Sequence, residues 1–527
     1  MSKQYIIVPV DGATNIKLEV LDFETLATVY SKTTDTPVTT YNGLNYNCTG
    51  EEFEWFDKII NEMPDELKNT SVIAPVSRGA SGGLIGKDNS LCEESGKGLT
   101  LAYTQRYSEE TERRFVEMAG SEKEFYLETG SVRALPGSLT LIKRFIFEEI
   151  ERPETLDKAA AFGTYPILMT GHFLNDNYLN AVLTAGNEHS YWMCHAGARN
   201  INQKPGTLST LAEKIESFKR LVPGKLTVCY NFIGKMPAEM SKRLGLSGTI
   251  YVNPGGHDTC LSHIPIMSTF YSAFQEKAGK PVIQIDAGTW TMTAQIGGTA
   301  SLHQDGYLKD IIVQGTVDGE PVVTGKYAGG SDFKYVKTMV EKRGSEFKAE
   351  DETQALKELL SEKNIFIMPN INPDNHGTGP FPEIKGKIIG ETELFKNPAN
   401  AYIAANLTAA ISTVYQLDEI SKDKNIPLVI TAGASKDETF CRIIASLTGR
   451  DTFTMLDKDN NAVTETTTLG AAVAGKASVL GIHPYEVNMN SLGIKYKKVI
   501  PFSEDIISLL QEYRSEYFGK IKENGRL

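Results

Sequence analysis

Several features that would restrict this 527-residue chain to a special class are missing from its sequence. It has no apolar run of about 18 residues, so no membrane-spanning helix is predicted. The opening residues, MSKQYIIVPVDG, lack a long apolar core and a small-residue cleavage site, which argues against a secretory signal. The six cysteines are scattered without a Cys-x-x-Cys pair, which favours reduced thiols. Together these absences predict a cytoplasmic protein.

The sequence also lacks a dense patch of basic residues. It has 54 Lys and Arg against 66 Asp and Glu, a formal net charge of -12. This balance argues against nucleic acids and anionic membranes as partners. An anionic small molecule is still compatible with it, because backbone N–H groups can bind anions without net positive charge. The length and the ordinary hydrophobic content, 41%, predict two or more globular domains.

The most informative stretch is Asn253-Pro254-Gly255-Gly256-His257-Asp258-Thr259, near the middle of the chain. It follows the strand-like run Ile250–Val252, and its two glycines allow a sharp turn or a close backbone approach. An aspartate at the end of a strand on such a turn is well held and exposed, as a general base must be. The alternative is a turn whose His and Asp bond only to local backbone.

Two strand–turn–strand units open the two halves of the chain. The first contains Val10-Asp11-Gly12-Ala13-Thr14, and the second contains Ile285-Asp286-Ala287-Gly288-Thr289. We interpret them as a weak internal repeat, with chance similarity between two hairpins as the alternative. Later, the strand-like run Leu428–Thr431 is followed by a small-residue turn and a helix, an arrangement that can bind phosphate or nucleotide. Many α/β connections need small residues for packing alone.

These motifs, taken in order, resemble those of the FGGY family of carbohydrate kinases over nearly the whole chain. The resemblance rests on Asp11–Thr14, Gly255–Thr259, Ala287–Trp290, Ala432–Ser435 and Glu465–Ala472, and it is closest to the L-fuculose and L-rhamnulose kinase branch. It implies an α/β fold of two actin/hexokinase-like (ribonuclease H-like) domains, each a mixed sheet flanked by helices, around a central cleft. We expect residues 1–265 to form the sugar-binding domain with the first phosphate hairpin, and residues 266–527 to form the nucleotide-binding domain.

The resemblance implies an ATP-dependent enzyme that phosphorylates a primary hydroxyl of a ketose or related sugar, using Mg²⁺. Asp258 is the implied general base. The partner is a small sugar, and a homodimer is compatible with the family. The implied nucleotide-binding residues are Gly12, Ala13, Thr14, Asn15, Lys17, Gly288, Thr289, Gly329, Gly330, Gly433, Ala434, Ser435 and Asp437. The implied substrate-binding residues are Arg78, Gly79, Ser81, Arg106, His257 and Asp258.

The chain departs from the family pattern at both hairpins. The first usually reads Asp-x-Gly-Thr-Thr, but Val10 holds the place of the aspartate and Asp11 is next to the glycine. Because successive strand side chains point to opposite faces, Asp11 would reach a metal only if a bulge at Pro9 re-aimed it. Asp286 restores the Asp-x-Gly-Thr pattern in the second hairpin. We therefore take Asp11 and Asp286 as candidate metal ligands; the alternative is that Asp286 bonds its own turn and metal binding is impaired.

The nucleotide and sugar sides differ from the family as well. Ala434 replaces a glycine and Asp437 replaces an asparagine, so Asp437 either alters base preference or caps the following helix. The segment Arg78–Ser81 lacks the acidic residue of the nearest branch. These departures leave a second hypothesis open, a catalytically weak relative that binds sugar or nucleotide for regulation.

Overall fold

The computed structural model describes residues 3–94, 97–133, 137–188, 197–274, 281–297, 302–375 and 377–525. They form two compact units. The first contains residues 1–276, 313–321 and 465–493, and the second contains residues 277–312, 322–464 and 494–527. This division differs from the single boundary predicted at residue 265, because two later segments pack with the first unit.

The first unit is built on an eight-stranded mixed sheet, in which β13-β14-β6-β1-β2-β3 form the main path and β7 joins β1 to β15. Strands β1, β2 and β3 form an antiparallel meander, whereas β6, β7, β14 and β15 run parallel to β1 or to each other. The strands of this part of the chain are β1 Tyr5–Asp11, β2 Asn15–Asp22, β3 Thr28–Asp35, β4 Val38–Tyr41, β5 Leu44–Asn47, β6 Thr70–Ile73, β7 Val76–Ser77, β8 Gly82–Gly86, β9 Thr100–Leu101, β10 Ala159–Thr164, β11 Asn187–Glu188, β12 Leu226–Thr227, β13 Gly234–Lys235, β14 Tyr251–Val252 and β15 Gly256–His257.

The pairing of β1 with β2 is uninterrupted, and Pro9 lies directly opposite Leu18. The bulge considered at Pro9 is therefore absent from this pair. Hydrophobic side chains of β1 and β2 are buried with those of the helices Thr49–Glu62 and Tyr165–Phe173. The helices of the first unit are Thr49–Glu62, Glu109–Ala119, Glu122–Thr129, Lys143–Glu151, Pro153–Lys158, Tyr165–Phe173, Tyr178–Ala185, Glu216–Leu221, Ala238–Arg243, Asp258–Ala273 and Thr466–Leu480.

The helix Thr466–Leu480 packs closely against the helix Asp258–Ala273. Small residues permit this contact: a Cβ atom at Gly470 would lie 1.9 Å from the Leu261 carbonyl oxygen. At its first turn, the Thr467 hydroxyl donates to the Asp258 carbonyl oxygen at 3.3 Å. The late segment of the chain thus supports the helix that begins at the candidate base.

The second unit repeats this strand pattern in a seven-stranded sheet of order β18-β19-β17-β16-β22-β23-β24. Strands β16, β17 and β19 are antiparallel neighbours, and β16, β22 and β23 are parallel neighbours. An antiparallel hairpin beside a parallel strand therefore opens both sheets, which agrees with the internal repeat. The strands are β16 Val282–Ala287, β17 Thr291–Ile296, β18 Ile311–Gly315, β19 Pro321–Tyr327, β20 Phe366–Ile367, β21 Ile388–Ile389, β22 Leu428–Thr431, β23 Thr452–Leu456 and β24 Lys495–Lys498.

The long helix Pro398–Ile420 packs against β17 and against the helix Glu438–Thr448, and its apolar side chains enter the main core of this unit. Within the residues described, no helix is long and apolar enough to cross a membrane. Cys194 lies outside the described residues, and the other five cysteines are buried free thiols. The helices of the second unit are Gly329–Glu341, Glu352–Glu362, Glu391–Lys396, Pro398–Ile420, Glu438–Thr448 and Glu504–Asn524.

Candidate active site

The acid–base residues of the first unit lie at the ends of three parallel strands. In the pairing of β1, β7 and β15, Asp11 and His257 both lie opposite Ser77. Arg78 and Asp258 are the next residues along the chain after Ser77 and His257. Because neighbouring strands are about 4.8 Å apart, this register places all five residues at one edge of the sheet.

Asp258 is the first residue of the helix Asp258–Ala273. Its Oδ1 accepts hydrogen bonds from the Thr259 backbone N–H at 2.6 Å and from the Thr259 hydroxyl at 3.3 Å. Its side chain is 38% exposed. Burial nevertheless raises the pKa of Asp258 to about 6, because desolvation outweighs the Thr259 hydrogen bonds and the charge of Arg78. The carboxylate is therefore ionised but readily protonated near neutral pH, as a general base requires.

His257 lies against this carboxylate, with Nε2 3.0 Å from the Asp258 Oδ1. Its Nδ1 is 3.3 Å from the Cys260 Sγ. Burial lowers the pKa of His257 to about 3, so the imidazole is neutral at physiological pH. A neutral ring in this position can orient Asp258 without neutralising its charge.

The buried pair of Asp11 and Arg78 lies beside Asp258. The Arg78 Nη1 donates to the Asp11 Oδ1 at 2.5 Å and also to the Gly12 carbonyl oxygen. The Ser77 hydroxyl donates to the Asp11 Oδ2 at 2.9 Å. Burial raises the pKa of Asp11 to about 6, although Arg78 and Ser77 lower it. Both oxygens of Asp11 are engaged within the protein, so this carboxylate is poorly suited to binding a metal ion directly.

The sequence did not point to the side chains that surround Arg78. The guanidinium lies 5.6 Å from the ring centroid of Tyr165 and 5.8 Å from that of Tyr103. Glu52 is fully buried and accepts a hydrogen bond from the Tyr165 hydroxyl at 2.9 Å. Burial, followed by the charge of Asp11, raises the pKa of Glu52 well above its usual value. No local motif marks these residues, which long-range packing brings together.

The other predicted substrate-binding residues, Gly79, Ser81 and Arg106, differ from one another in burial and position. Ser81 is buried, and its hydroxyl donates to the Gly79 carbonyl oxygen at 3.3 Å. Ala80, between them, has φ of 57°, a left-handed conformation that bends the loop after Arg78. Arg106 is exposed. The structure thus places Gly79 and Ser81 on the loop that follows Arg78, and Arg106 on the surface.

The predicted first phosphate hairpin is an exposed turn. The Gly12 N–H donates to the Asn15 carbonyl oxygen at 3.0 Å, and Ala13, Thr14 and Asn15 are exposed. A Cβ atom at Gly12 would lie 2.6 Å from that Asn15 oxygen, so glycine is required there. Lys17 forms ion pairs with Glu465 and, at 3.4 Å, with Glu19.

A cavity of about 290 Å³ lies within the second unit. Seven of the predicted nucleotide-binding residues line it, and Phe333, Asn406, Ala409 and Phe440 complete much of its apolar wall. Sequence reasoning missed these four side chains: Phe333 and Phe440 lie on helices that begin beside predicted residues, whereas Asn406 and Ala409 come from the long helix Pro398–Ile420, which carries no nucleotide motif. The seven predicted residues in the lining are Gly288, Thr289, Gly329, Gly330, Gly433, Ala434 and Asp437.

Glycine at residue 330 brings two walls of this cavity together. A Cβ atom there would lie 1.9 Å from the Gly288 carbonyl oxygen. The Ser331 N–H donates to the Thr289 carbonyl oxygen at 3.1 Å. The start of the helix Gly329–Glu341 is therefore packed directly on the turn of the second hairpin.

On the opposite wall, Asp437 caps the helix Glu438–Thr448. Its Oδ1 accepts from the Phe440 N–H at 2.9 Å. Its Oδ2 accepts from the Tyr402 hydroxyl at 2.9 Å and from the Asn406 side-chain amide at 3.2 Å. Of the two alternatives left open for Asp437, helix capping is observed. The Ser435 hydroxyl donates back to the Ala432 carbonyl oxygen at 2.7 Å, within its own turn.

Asp286 is the more accessible of the two candidate metal ligands. It is half-buried at the end of β16, one residue before the strand ends, and its Oδ1 accepts from the Thr431 hydroxyl at 3.0 Å. Within the part of the chain that is described, no group of three or more His, Cys, Asp or Glu residues could hold a metal ion. Mg²⁺ in nucleotide sites needs only one or two carboxylates, since waters and phosphates complete its shell. Asp286 fits that requirement.

Comparison with known protein families finds a match for the later part of the chain. Residues 279–480 match the family model for the C-terminal domain of the carbohydrate kinase FGGY family. Residues 279–480 are therefore similar to an FGGY carbohydrate kinase domain. The predicted family and the predicted enzyme class, a carbohydrate kinase, are confirmed at that level. No curated protein sequence matches the chain.

Solved structures of sugar kinases share the fold of the whole chain. A carbohydrate kinase from Novosphingobium aromaticivorans has a TM-score of 0.76 at 18% identity, covering 99% of each chain. A xylulose kinase from Lactobacillus acidophilus has a TM-score of 0.75 at 14% identity, and a gluconate kinase from the same organism has 0.74 at 15%; each alignment covers 99% of this chain and 98% of the other. At these identities the likeness establishes the fold, and the predicted α/β class with two helix-flanked mixed sheets is confirmed.

Proposed function

We propose that this FGGY chain transfers the γ-phosphoryl group of ATP to a primary hydroxyl of a ketose or related sugar, of the L-fuculose or L-rhamnulose type. The observation that carries the proposal is Asp258, a partly exposed carboxylate whose pKa is raised to about 6. It lies at a strand edge beside Arg78, in a fold shared with sugar kinases. A cytoplasmic location and a homodimer stay predictions.

Asp258 supplies the acid–base chemistry of the proposed reaction. The acceptor hydroxyl passes its proton to the Asp258 carboxylate while the hydroxyl oxygen forms a bond to the γ-phosphorus. The bond from that phosphorus to the β,γ-bridging oxygen breaks, and ADP leaves with the bonding electron pair. His257 holds the carboxylate in place, and the Thr259 N–H stabilises its ionised form. Arg78 offers N–H donors to the acceptor hydroxyls.

The cavity of the second unit suits the nucleotide. Phe333, Phe440 and Ala409 provide apolar surface for a purine ring, which gains binding energy from being removed from water. The turn at Gly288 and Thr289 edges the same cavity. The Gly288 N–H donates to the Trp290 carbonyl oxygen at 3.0 Å, so the Thr289 N–H and hydroxyl are the groups that can donate to phosphate oxygens. In this arrangement the apolar walls hold the base and the second hairpin holds the phosphates.

Mg²⁺, when bound with ATP, would neutralise phosphate charge. We assign Asp286 to hold it, directly or through a water molecule, because this carboxylate lies in the hairpin that carries Gly288 and Thr289. Asp11 has no metal role in this proposal, since Arg78 and Ser77 already engage its oxygens. The metal carboxylate is thus proposed to come from the second hairpin.

The second candidate function is a regulatory protein that binds sugar or nucleotide with little turnover. The ion pair of Asp11 with Arg78 favours it, because the first hairpin then lacks the family's usual metal carboxylate. Asp258 argues against it, since binding alone needs no general base. Turnover separates the two candidates, whereas nucleotide binding does not.

The decisive experiment measures ADP release from Mg-ATP with a panel of ketoses, aldoses and polyols. For the preferred acceptor we expect Asp258→Asn to lower kcat by about 10²–10⁴-fold, the usual contribution of a general base. Asp65→Asn, which changes an exposed aspartate of the same unit, should retain wild-type turnover. If no acceptor stimulates ADP release while ATP still binds, the kinase proposal is wrong and the regulatory function is favoured.

A further inference from the structure

We propose that Asp11 is a specificity-determining residue: it neutralises Arg78, so that the acceptor site takes neutral polyhydroxy compounds and rejects sugar acids. The inference rests on the proposed function and deepens it by naming the acceptor class. The fold alone does not decide the class, because both a xylulose kinase and a gluconate kinase share it.

The argument begins with unused donors on Arg78. Its side chain is 5% exposed, and Nη1 serves Asp11 and the Gly12 carbonyl oxygen. Among the residues that the structure describes, no side chain or backbone group forms a hydrogen bond with the buried Nε and Nη2 atoms. Nε carries one N–H and Nη2 carries two, so three N–H donors of this buried guanidinium have no acceptor among the described residues. Buried donors of this kind are normally satisfied, so a ligand placed at the Asp258 end of these strands would supply the acceptors they lack.

Their position is that of the acceptor substrate. Ser77 lies opposite His257 in the paired strands β7 and β15, so Arg78 and Asp258 are neighbours at one sheet edge. Arg78 is also close enough for its charge to stabilise the Asp258 carboxylate. A polyol with one hydroxyl at Asp258 would therefore present its further hydroxyl oxygens to the donors of Arg78.

The charge at this edge then selects the acceptor. Three carboxyl groups, of Asp11, Glu52 and Asp258, lie within electrostatic range of the single guanidinium. Asp11 uses the positive charge directly, through a 2.5 Å contact in which both side chains are almost fully buried. A sugar carboxylate would add a further negative charge without a compensating cation. Hydroxyl groups accept the same N–H bonds and bring no charge to desolvate.

The test compares each acceptor that is turned over with the aldonic acid of the same carbon skeleton and stereochemistry. We expect the wild-type kcat/KM to favour the neutral compound by about 100-fold or more, because like-charge contacts are strongly rejected. In Asp11→Asn, Arg78 keeps its charge but loses the carboxylate that forms an ion pair with it. The ratio of acid to neutral acceptor should then rise by about tenfold or more.

Glu148→Gln is the matched control. It removes a carboxylate that pairs with Arg144 at 3.4 Å and Arg152 at 3.5 Å, elsewhere in the first unit and equally buried. The acceptor ratio of this variant should equal that of the wild type. A weakened fold would lower kcat/KM for both acceptors together and leave their ratio unchanged. The proposal requires this ratio to change in Asp11→Asn and not in Glu148→Gln.

Two outcomes overturn the proposal: a wild-type enzyme that uses the acid as well as the neutral compound, or a folded Asp11→Asn variant with an unchanged ratio. If Asp11→Asn does not fold, Arg78→Gln decides: a KM for the neutral acceptor raised by about tenfold supports the proposal, and an unchanged KM contradicts it. If the wild type phosphorylates none of the acceptors, the proposed function fails. Calorimetry with the same pairs of neutral compound and acid then tests only whether the site rejects sugar acids. Binding of the neutral compound but not of the acid supports the proposal, and equal binding of both overturns it.

Discussion

The hairpins that open the two sheets place their aspartates in different electrostatic settings. Each has a three-residue loop, Gly12–Thr14 in the first and Gly288–Trp290 in the second. Asp11 is the last residue of its strand, whereas Asp286 lies one residue before the end of its own. Successive side chains of a strand point to opposite faces. By position in the hairpin, Asp286 therefore corresponds to Val10 rather than to Asp11.

Both aspartates nonetheless accept a hydrogen bond from the hydroxyl of the residue opposite them in a parallel neighbour. Ser77 provides it for Asp11 at 2.9 Å, and Thr431 provides it for Asp286 at 3.0 Å. The first aspartate is fully buried and pairs with Arg78, while the second is half-buried. A repeated backbone can thus carry a structural and selective carboxylate in one copy and a carboxylate suited to a metal in the other.

The largest effect should come from removing Arg78, the cation that pairs with the aspartate of the first hairpin. Arg78→Met leaves Asp11 buried without its ion-pair partner, so we expect the free energy of unfolding to fall by about 3–5 kcal/mol. Urea denaturation at neutral pH measures this. Asp11→Asn combined with Arg78→Met should recover part of the loss, because the orphaned charge is gone. A loss just as large in Asp286→Asn would show that the two hairpins are alike.

The second prediction concerns the second hairpin. Asp286→Asn keeps the shape of the side chain and removes its charge, so we expect the Mg²⁺ concentration for half-maximal rate to rise by about 10–100-fold. Magnesium titrations at saturating ATP and acceptor measure the change. Thr431→Val, which removes only the hydrogen bond to Asp286, should have a smaller effect of the same sign. Unchanged magnesium dependence in Asp286→Asn would contradict the metal assignment.

The two hairpin glycines should also respond differently to a methyl group. A Cβ at Gly12 would lie 2.6 Å from the Asn15 carbonyl oxygen, whereas the nearest atom to a Cβ at Gly288 is 4.0 Å away. We expect Gly12→Ala to cost about 1–3 kcal/mol of unfolding free energy and Gly288→Ala to cost much less. Thermal unfolding of the two variants in parallel gives the comparison, and equal melting temperatures would refute it.

The smallest effect is a pH dependence on the acceptor side. The pKa of Asp258 is raised to about 6, and a base works only when deprotonated. We therefore expect kcat/KM for the acceptor to be level above that pH and to fall about tenfold per pH unit below it. The residual activity of Asp258→Asn should lack this step. A wild-type profile that stays flat down to the ordinary range of aspartate would contradict the assignment.

The sequence predicts local features of this molecule well. Both hairpins, the turn at Gly433 and the helix from Thr466 to Leu480 follow from short patterns of glycine, hydroxyl residues and apolar periodicity. Such patterns depend on neighbours a few residues away, so they are visible in one dimension. The nucleotide-side glycines could be grouped for the same reason, since each marks a strand-to-helix or strand-to-strand turn.

The partners of Asp11 could not be found in this way. Arg78 is 67 residues away in sequence, and Glu52 reaches the pair through Tyr165, which is 113 residues further along the chain. Phe333 shows a faint signal, since it follows Gly330 by about one helical turn. Asn406 shows none, because it lies in the middle of a long apolar helix. Burial and charge pairing arise from the tertiary fold, so a single sequence does not display them.

The packing of Gly470 against the Leu261 carbonyl has a consequence for the order in which the molecule can be made. The helix that supports Asp258–Ala273 belongs to residues 465–493, which follow most of the second unit along the chain. On the ribosome, residues 277–464, almost two hundred residues, are therefore synthesised before the last helix of the first unit. The first unit cannot be completed until that helix has emerged. During that interval the nascent chain exposes the apolar side of the unsupported helix, the period in which chaperones matter most.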